Sequence, residues 1–242
     1  MFTIIICKSY EEVSNKAFAL FRDMVKSKPN CVLGLATGSS PLGTYQRLID
    51  DHRINGTSYK DVVTFNLDEY IGLPEDHPES YHTFMKQHFF SQIDIRPENT
   101  HLPSTEGDEV KNCEEYEKML EPYDIDIQLL GIGSDGHIGF NEPGTPFDAP
   151  THVTELDHRT IRDNARFFGN DISKVPTKAI TMGSGTIMRK AKKVVLIATG
   201  ANKADAIYGM IKGDKDVNCP ASVLQNHPDV VVIIDREAAG RL

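Results

Sequence analysis

The chain has 242 residues, 39% of them hydrophobic and 25% charged, which is ordinary globular usage and enough length to bury a core without disulfides or metals. Its formal net charge of −9 argues against a surface for nucleic acid or an anionic membrane, so an anionic substrate needs a local positive site. No apolar stretch approaches the roughly 18 residues of a membrane-spanning helix.

The start of the chain and the cysteines bear on its compartment. The N-terminal apolar run is too short for a signal peptide and has no basic residues before it. The four cysteines, at positions 7, 31, 113 and 219, show neither CxxC nor zinc spacing, so we interpret them as reduced packing residues. The sequence therefore predicts a cytoplasmic protein that binds no nucleic acid and no membrane.

The first elements in chain order are a strand, a helix and a second strand. Phe2–Cys7 is a continuous apolar run with three consecutive isoleucines and predicts a buried strand. Ser9 can cap the helix that follows, and Pro29 ends it. Residues 31–36 predict the second strand, which leads directly into the sequence TGSSP at 37–41 and then into a helix with the proline in its first turn.

The turn at 37–41 has the composition of an anion site. Thr37, Gly38 and Ser39 bring hydroxyl and backbone N–H groups to a helix start, where an anion is stabilised. The turn lacks GK[ST] and GxGxxG, which argues against a nucleotide as the ligand. Serine and threonine before a helix are also common simply as caps, and the turn alone does not separate the two interpretations.

Strands and helices keep alternating through the rest of the chain. Residues 62–67 predict a third strand, which continues directly into Asp68-Glu69-Tyr70. The proline-rich segment 144–150 is predicted to be irregular and to act as a mobile lid. The other predicted elements are helices at 82–90, 109–120, 159–168 and 183–190, strands at 125–132, 178–182, 193–198 and 229–234, and a helix that follows TGANK (199–203) and runs through Met210.

The stretch QLLGIGSDGHIGFNEPG at 128–144 is the most informative part of the sequence. A buried strand ends here in a glycine-rich turn that carries Asp135, His137, Asn141 and Glu142. A solvated loop whose Asp and Asn side chains cap turns is the structural alternative. An imidazole flanked by two carboxylates goes beyond what a turn requires and favours proton-transfer chemistry. A metal site is not favoured, because no second histidine stands at ligand spacing.

The alternation of strands and helices predicts an α/β fold: a single domain over residues 1–242, with a mainly parallel central sheet and helices on both faces, in a Rossmann-like arrangement. Ligands of such sheets bind beyond the carboxyl ends of the strands. Four predicted strands end in polar segments, namely TGSS, DEY, GSDGH and TGANK. We therefore predict that these four ends lie side by side over one crevice.

Three side chains outside the two turns complete the predicted site. Asp68 follows an apolar strand, so partial desolvation would raise its pKa from about 3.9 and suit it to take a proton from a carbon next to a carbonyl group. Lys203 and Arg166 offer cations that bind phosphate. Each also has a structural interpretation: Asp68 as a helix cap or ion-pair partner, and the two cations as solvated surface charges. The strand-end argument favours the site.

The motifs TGSSP, NLDEYIGL, GIGSDGHIGFNEPG, NARFF and TGANKADAI occur in this order over nearly the whole chain. In order and separation they resemble the glucosamine-6-phosphate deaminase family. The resemblance implies a reaction of amino-sugar catabolism, in which glucosamine 6-phosphate and water give fructose 6-phosphate and ammonia, with no organic cofactor and no catalytic metal. The implied partner is the amino-sugar phosphate itself, bound by a monomer or a homo-oligomer.

The resemblance also implies roles for the matching residues. His137 would move the proton that opens the pyranose ring, with Asp135 and Glu142 supporting it. Asp68 would take the C2 proton and deliver it to C1 through an enolamine. The residues that match the family's phosphate site are Gly38, Ser39, Arg166 and Lys203.

The sequence departs from part of the family in one respect. The larger, allosterically activated hexameric members carry basic residues soon after the NEP motif and a C-terminal extension. This sequence has His152 and Thr154 in the corresponding places and stops at Leu242. It resembles the short, non-allosteric members, so we expect no activation by N-acetylglucosamine 6-phosphate.

Two other functions stay open at this level. An enzyme like 6-phosphogluconolactonase would share the architecture and the phosphate loop, but lactone hydrolysis needs an activated water and no C2 base, so Asp68 beside Tyr70 favours the deaminase. A sugar-phosphate-sensing module of a transcriptional regulator would carry a helix-turn-helix and would tolerate loss of the acids. This sequence starts with a strand and keeps all four catalytic candidates.

Overall fold

Two sheets and their covering helices build the structure, a computed structural model that describes residues 2–242. The strands are β1 (Phe2–Cys7), β2 (Val32–Leu35), β3 (Val63–Asn66), β4 (Asp68–Ile71), β5 (Thr100–His101), β6 (Ile127–Leu130), β7 (His152–Glu155), β8 (Lys178–Thr181), β9 (Val194–Ala198) and β10 (Val230–Asp235). The α-helices are α1 (Tyr10–Ser27), α2 (Leu42–Asn55), α3 (Tyr81–His88), α4 (Glu109–Leu120), α5 (His158–Asn164), α6 (Ser184–Lys190) and α7 (Ala204–Lys212). Short 3₁₀ turns lie at Phe90–Gln92, Pro97–Asn99, Ala165–Phe167, Ile172–Lys174, Ala201–Lys203 and Pro220–Asn226.

The larger sheet has seven strands in the order β1-β10-β9-β6-β2-β3-β5, and every neighbouring pair is parallel. Alternate side chains of each strand point to opposite faces, and each face is covered. Val32 contributes to the cluster packed on α4, α6 and α7, whereas Leu33 contributes to the cluster packed on α1, α2 and α3. The predicted parallel sheet with helices on both faces is confirmed.

The strand order reverses between β2 and β6. After β2 the chain continues outward through β3 to β5, and after β6 it continues in the other direction through β9 to β10. The loops that follow β2 and β6 therefore diverge and leave a crevice at the carboxyl ends of two adjacent strands. These loops are the ones that carry TGSS and GSDGH.

A second, antiparallel sheet of three strands, in the order β4-β8-β7, was not predicted. Only Leu67 separates β3 from β4, so the chain passes from one sheet to the other within a single residue. Residues 178–182 were correctly predicted as a strand, but its two partners are short and polar and carry little strand signal. Asp68 is the first residue of β4 and lies opposite Thr181 of β8.

Two other expectations are modified by the structure. Phe2–Cys7 is a strand, as predicted, but the prediction that it is buried is wrong: β1 is an edge strand that pairs only with β10, which leaves Ile4 39% and Ile6 55% exposed. The segment 144–150 is irregular, as predicted, but the Gly185 N–H donates a 3.0 Å hydrogen bond to the carbonyl of Ala149. Its movement as a lid stays a prediction.

The helices within residues 2–242 include none that is both long and apolar enough to cross a bilayer. All four cysteines are free thiols. Three of them, Cys7, Cys31 and Cys113, are buried, and Cys219 is half-buried.

Candidate active site

Four polar strand ends meet at one edge of the larger sheet. β9, β6, β2 and β3 are consecutive neighbours in that sheet, and TGANK, GSDGH, TGSS and DEY follow them. The predicted side-by-side arrangement of these strand ends is confirmed. A cavity of about 620 Å³ lies over them. Seven of the predicted site residues line it, namely Thr37, Gly38, Ser39, Asp68, His137, Arg166 and Lys203.

Asp68 brings a nearly buried carboxyl group to this cavity. Its side chain is 5% exposed, and no group within residues 2–242 donates a hydrogen bond to its carboxylate. Burial, and then the charge of neighbouring Glu69, raise the pKa of Asp68 to about 8, against the opposing effect of His137. A base works best when its pKa is close to the working pH, so Asp68 is suited to general acid–base chemistry.

The imidazole of His137 has one nitrogen directed at two carboxylates. Nδ1 lies 2.8 Å from Oδ1 of Asp135 and 3.5 Å from Oε2 of Glu142. Neither contact has the geometry of a hydrogen bond from the ring N–H. Burial alone would lower the pKa of His137, but the contact with Asp135 and the charges of both acids outweigh burial and raise that pKa. Since Nδ1 faces the acids, Nε2 is the nitrogen that remains for the cavity.

Asp135 and Glu142 lie behind the imidazole and do not line the cavity. Burial alone would raise the pKa of Asp135, but its contacts with His137 lower it to about 2. Burial raises the pKa of Glu142, although His137 opposes the shift. The sequence prediction placed both acids among the catalytic residues as supports of His137. Their position beside Nδ1 is compatible with that role, which stays a prediction.

The same three residues bring three possible metal-ligand atoms within 4.8 Å of one another. Three protein ligands are also what a catalytic zinc site uses. Here both carboxylates converge on Nδ1 of His137, so an ion bound among them would be separated from the cavity by the imidazole ring. This arrangement fits a carboxylate–imidazole pair that moves a proton. The absence of a catalytic metal stays a prediction.

Two cations also line the cavity. Lys203 ends the 3₁₀ turn Ala201–Lys203 and is half-buried, and burial lowers its pKa, with Arg166 adding to the effect and Asp163 opposing it. The guanidinium of Arg166 lies 4.7 Å from the centre of the Phe167 ring. Together with the turn at residues 37–39, the two cations give the cavity hydrogen-bond donors and positive charge in a chain of net charge −9.

Two glycines leave room for the acid and the imidazole. A Cβ atom at Gly139 would lie 3.3 Å from Oδ2 of Asp68 and 3.0 Å from Oγ1 of Thr181, and the φ of +56° at this position also favours glycine. A Cβ atom at Gly133 would overlap the ring of His137. The glycines of the turn therefore give close approach as well as a sharp bend.

Asn141, which the sequence placed in the same turn, fixes the loop in position. It is fully buried, and its Nδ2 donates to the carbonyls of Ile138 and Met182 at 2.8 and 2.9 Å. Its Oδ1 accepts a 2.9 Å hydrogen bond from the N–H of Ser184. These bonds attach the glycine-rich turn to the end of β8 and the start of α6, so the neighbouring Glu142 is held as well.

Sequence analysis did not identify an aromatic wall beside Asp68. Tyr70 and Tyr81 have ring centres 4.8 Å apart, and Tyr81 and Phe140 stack at 6.0 Å. All three residues line the cavity. Side chains alternate between the two faces of a strand, so Asp68 and Tyr70, two positions apart on β4, share a face. This spacing could have placed Tyr70 beside Asp68. Tyr81 begins α3 and carries no comparable signal.

Neutral donors and two cations therefore line the same cavity as a carboxyl group and an imidazole, at the strand ends of a parallel sheet. This combination defines an α/β enzyme that acts on a small anionic molecule by moving protons.

The chain belongs to the family of glucosamine-6-phosphate isomerases and 6-phosphogluconolactonases, whose sequence pattern matches residues 8–233. It is 52% identical over 238 residues to the glucosamine-6-phosphate deaminase of Thermoanaerobacter pseudethanolicus, covering 98% of this chain and 93% of that one. It is 45% identical over 241 residues to glucosamine-6-phosphate deaminase 2 of Bacillus subtilis, covering 99% of this chain and 97% of that one.

Solved structures agree with this placement. A monomeric glucosamine-6-phosphate deaminase superposes with a TM-score of 0.96 at 45% identity, over 99% of this chain and 100% of the other. The 6-phosphogluconolactonase from Trypanosoma brucei superposes with a TM-score of 0.80 at 23% identity, over 100% of this chain and 99% of the other. The second likeness shows that the fold is shared and no more.

Proposed function

We propose that this chain converts glucosamine 6-phosphate and water to fructose 6-phosphate and ammonia. The observation that carries the proposal is that Asp68 and His137 line the same cavity as the residues proposed to bind the phosphate. A lactone hydrolase needs an activated water but no base at C2, so the nearly buried Asp68 favours the deaminase. The named relatives at about half identity support the same reaction.

The proposed chemistry begins at the sugar ring. Nε2 of His137 takes the proton of the C1 hydroxyl and returns a proton to the ring oxygen, which opens the pyranose to the aldehyde. Asp135 and Glu142 stabilise the imidazolium that forms in between, since both contact Nδ1 on the side away from the cavity.

Asp68 then acts on the open-chain form of the sugar. Its carboxylate removes the proton from C2 to give an enolamine and delivers a proton to C1, which leaves an imine at C2. Water adds to that imine, and ammonia leaves as fructose 6-phosphate forms. The neighbouring aromatic wall limits the access of water to the carboxyl group, which keeps its pKa high enough for both the removal and the return of the proton.

The phosphate group is proposed to bind at residues 37–39, Arg166 and Lys203. Backbone N–H groups and hydroxyls supply neutral donors, and the two cations supply charge-assisted hydrogen bonds. All the residues invoked belong to one chain, so a monomer suffices for the reaction. A cytoplasmic location is proposed from the substrate, because a sugar phosphate is charged and does not cross a membrane unaided.

The function is tested by measuring ammonia release from glucosamine 6-phosphate, with N-acetylglucosamine 6-phosphate and 6-phosphogluconolactone as parallel substrates. Ammonia and fructose 6-phosphate should appear in equal amounts from the first substrate alone. Hydrolysis of the lactone without ammonia release from the amino sugar would overturn the proposal in favour of a lactonase.

Lys203→Ala should raise KM about ten- to a hundredfold while kcat changes little, because a charge-assisted hydrogen bond to the phosphate is lost in ground and transition states alike. Steady-state kinetics with glucosamine 6-phosphate measure KM and kcat separately. Lys212→Ala, an exposed lysine at the end of the neighbouring α7, is the matched control and should behave like the parent protein. A fall in kcat at unchanged KM would remove Lys203 from the phosphate site.

Exhaustive dialysis against a chelator should leave the rate of ammonia release unchanged, because the cluster of Asp135, His137 and Glu142 is assigned to proton transfer. Atomic emission of the dialysed protein gives the metal content alongside the rate. Loss of activity that returns on addition of a divalent metal ion would show instead that the cluster binds a functional metal.

A further inference from the structure

Glu69 is a buried carboxylate that the mechanism above does not use. It follows Asp68 on β4, so its side chain leaves the strand on the opposite face, and it is 2% exposed. Oε1 accepts hydrogen bonds from the backbone N–H groups of Tyr70 (2.8 Å) and Tyr81 (2.9 Å). Oε2 accepts a hydrogen bond from the N–H of His82 at 2.9 Å and contacts its ring Nδ1 at 2.8 Å.

These bonds join β4 to the first turn of α3. The N–H groups at a helix start have no partner within the helix, and Glu69 satisfies the first two of α3 while Ser80 caps the third. A carboxylate is also stabilised at this positive end of the helix. One side chain therefore sets the distance between the strand that carries Asp68 and the helix that begins with Tyr81.

Asp68 and Tyr81 both line the cavity. The phenol of Tyr81 lies near the side chains of Tyr70 and Thr37, so it is also close to the turn at residues 37–39. If the start of α3 moves, the aromatic wall that desolvates Asp68 moves with it. The position of the Asp68 carboxyl group and the exclusion of water from it thus both depend on the buried contact between Glu69 and α3.

The charge of Glu69 acts on Asp68 as well. It is the second cause, after burial, of the raised pKa of Asp68. His82 is the titratable group that faces Glu69 from α3. The groups that face Asp68 are the imidazole of His137 and the phenols of Tyr70, Tyr81 and Tyr116.

We propose that Glu69 is a positioning residue for the deamination. From the far face of β4 it fixes the position of Asp68 relative to Tyr81, and its negative charge assists Asp68 in taking up and returning the substrate proton. The inference rests on the proposed function, since it assigns Glu69 to the reaction of Asp68. A structural carboxylate alone would hold α3 in place without altering how the rate depends on pH.

The test compares Glu69→Gln with the parent protein in the ammonia-release assay, with kcat/KM followed against pH. The amide keeps the size of the side chain but removes the charge. Its NH₂ group also cannot accept the hydrogen bonds that the backbone N–H groups donate to Glu69. We expect turnover to fall about ten- to a hundredfold through misplacement of the reacting groups. We also expect the acidic limb of the profile to move to lower pH, because Asp68 loses a like charge. The amino group of the substrate titrates equally in all variants and cancels from the comparison.

Two further variants separate position from charge. Glu69→Asp keeps the charge but shortens the reach to α3, so turnover should fall while the acidic limb stays in place. His82→Leu removes the ring nitrogen that contacts Oε2 of Glu69, so less of the negative charge of that carboxylate is offset by a polar partner and the limb should move to higher pH. This half-buried site also provides the test if Glu69→Gln does not fold. The matched control is Glu75→Gln, an exposed acid in the loop between β4 and α3.

The proposal is overturned if the acidic limb stays in place in both Glu69→Gln and His82→Leu, or if Glu75→Gln shifts it to the same extent. A parent protein that releases no ammonia would instead refute the proposed function itself, so the two failures are distinguishable.

Discussion

Asp68→Asn should retain substrate binding and lose about 10²–10⁴ in turnover, the usual contribution of a well-placed base. The amide has the same shape as the carboxyl group and fits the same nearly buried position, but it cannot take a proton from C2. KM should therefore change little, while kcat for ammonia release falls.

The pH dependence of the parent protein follows from the same residue. Burial raises the pKa of Asp68 to about 8, so the free enzyme holds this group largely protonated at neutral pH and ionises it as the pH rises. Because the carboxylate is the active form, kcat/KM should rise with pH up to about 8. Asp68→Asn should lose this rise along with the activity.

A second measurement isolates the proton step. In deuterated water the parent protein should introduce deuterium into the product at C1, since Asp68 carries the proton between carbon atoms and exchanges part of it with solvent. Asp68→Asn should introduce none above background. Unchanged turnover in this variant would exclude Asp68 from the reaction.

The arrangement of the strand ends could be predicted from sequence because it follows from two local patterns and one rule of topology. Apolar runs locate the strands of a parallel sheet, polar segments mark where they end, and ligands bind at those ends. Asp68 comes two residues after β3, and His137 and Lys203 lie in the polar segments that follow β6 and β9, so their convergence required no knowledge of individual contacts. The family resemblance supplied the reaction, which no spacing of residues contains.

What the sequence could not supply depends on contacts between distant segments. The smaller sheet brings Asp68 opposite Thr181, although more than a hundred residues of chain separate them. Tyr81 lines the cavity at the start of α3, where its N–H donates to Glu69, and nothing in the motif LDEY indicates that Glu69 binds a helix. Such polar partners within a fold leave no periodic signal.

The same limit applies to the position of the two acids relative to the imidazole. Asp135 and Glu142 stand close to His137 in sequence, and both were predicted to support it in catalysis. Sequence spacing shows that a carboxylate is near an imidazole but not on which side of the ring it lies. The structure has both on the side of Nδ1, away from the cavity.

Gly133→Ala should reduce turnover by nearly as much as His137→Gln, for which we expect a loss of about 10²–10⁴. A methyl group at position 133 would overlap the ring of His137 and lie 2.7 Å from Oδ1 of Asp135. The backbone at this glycine does not have a positive φ, so alanine itself is tolerated and the imidazole has to move. The ring would lose its contact with Asp135 and its aim at the substrate.

A double-mutant cycle shows whether the glycine acts through the imidazole. If it does, Gly133→Ala combined with His137→Gln should be no slower than His137→Gln alone, because the group that the methyl displaces is already absent. Losses that multiply in the double variant would show that position 133 acts on something else. Because the contact concerns proton transfer and not the phosphate, KM for glucosamine 6-phosphate should stay close to the parent value in all three variants, which separates this effect from a collapse of the cavity.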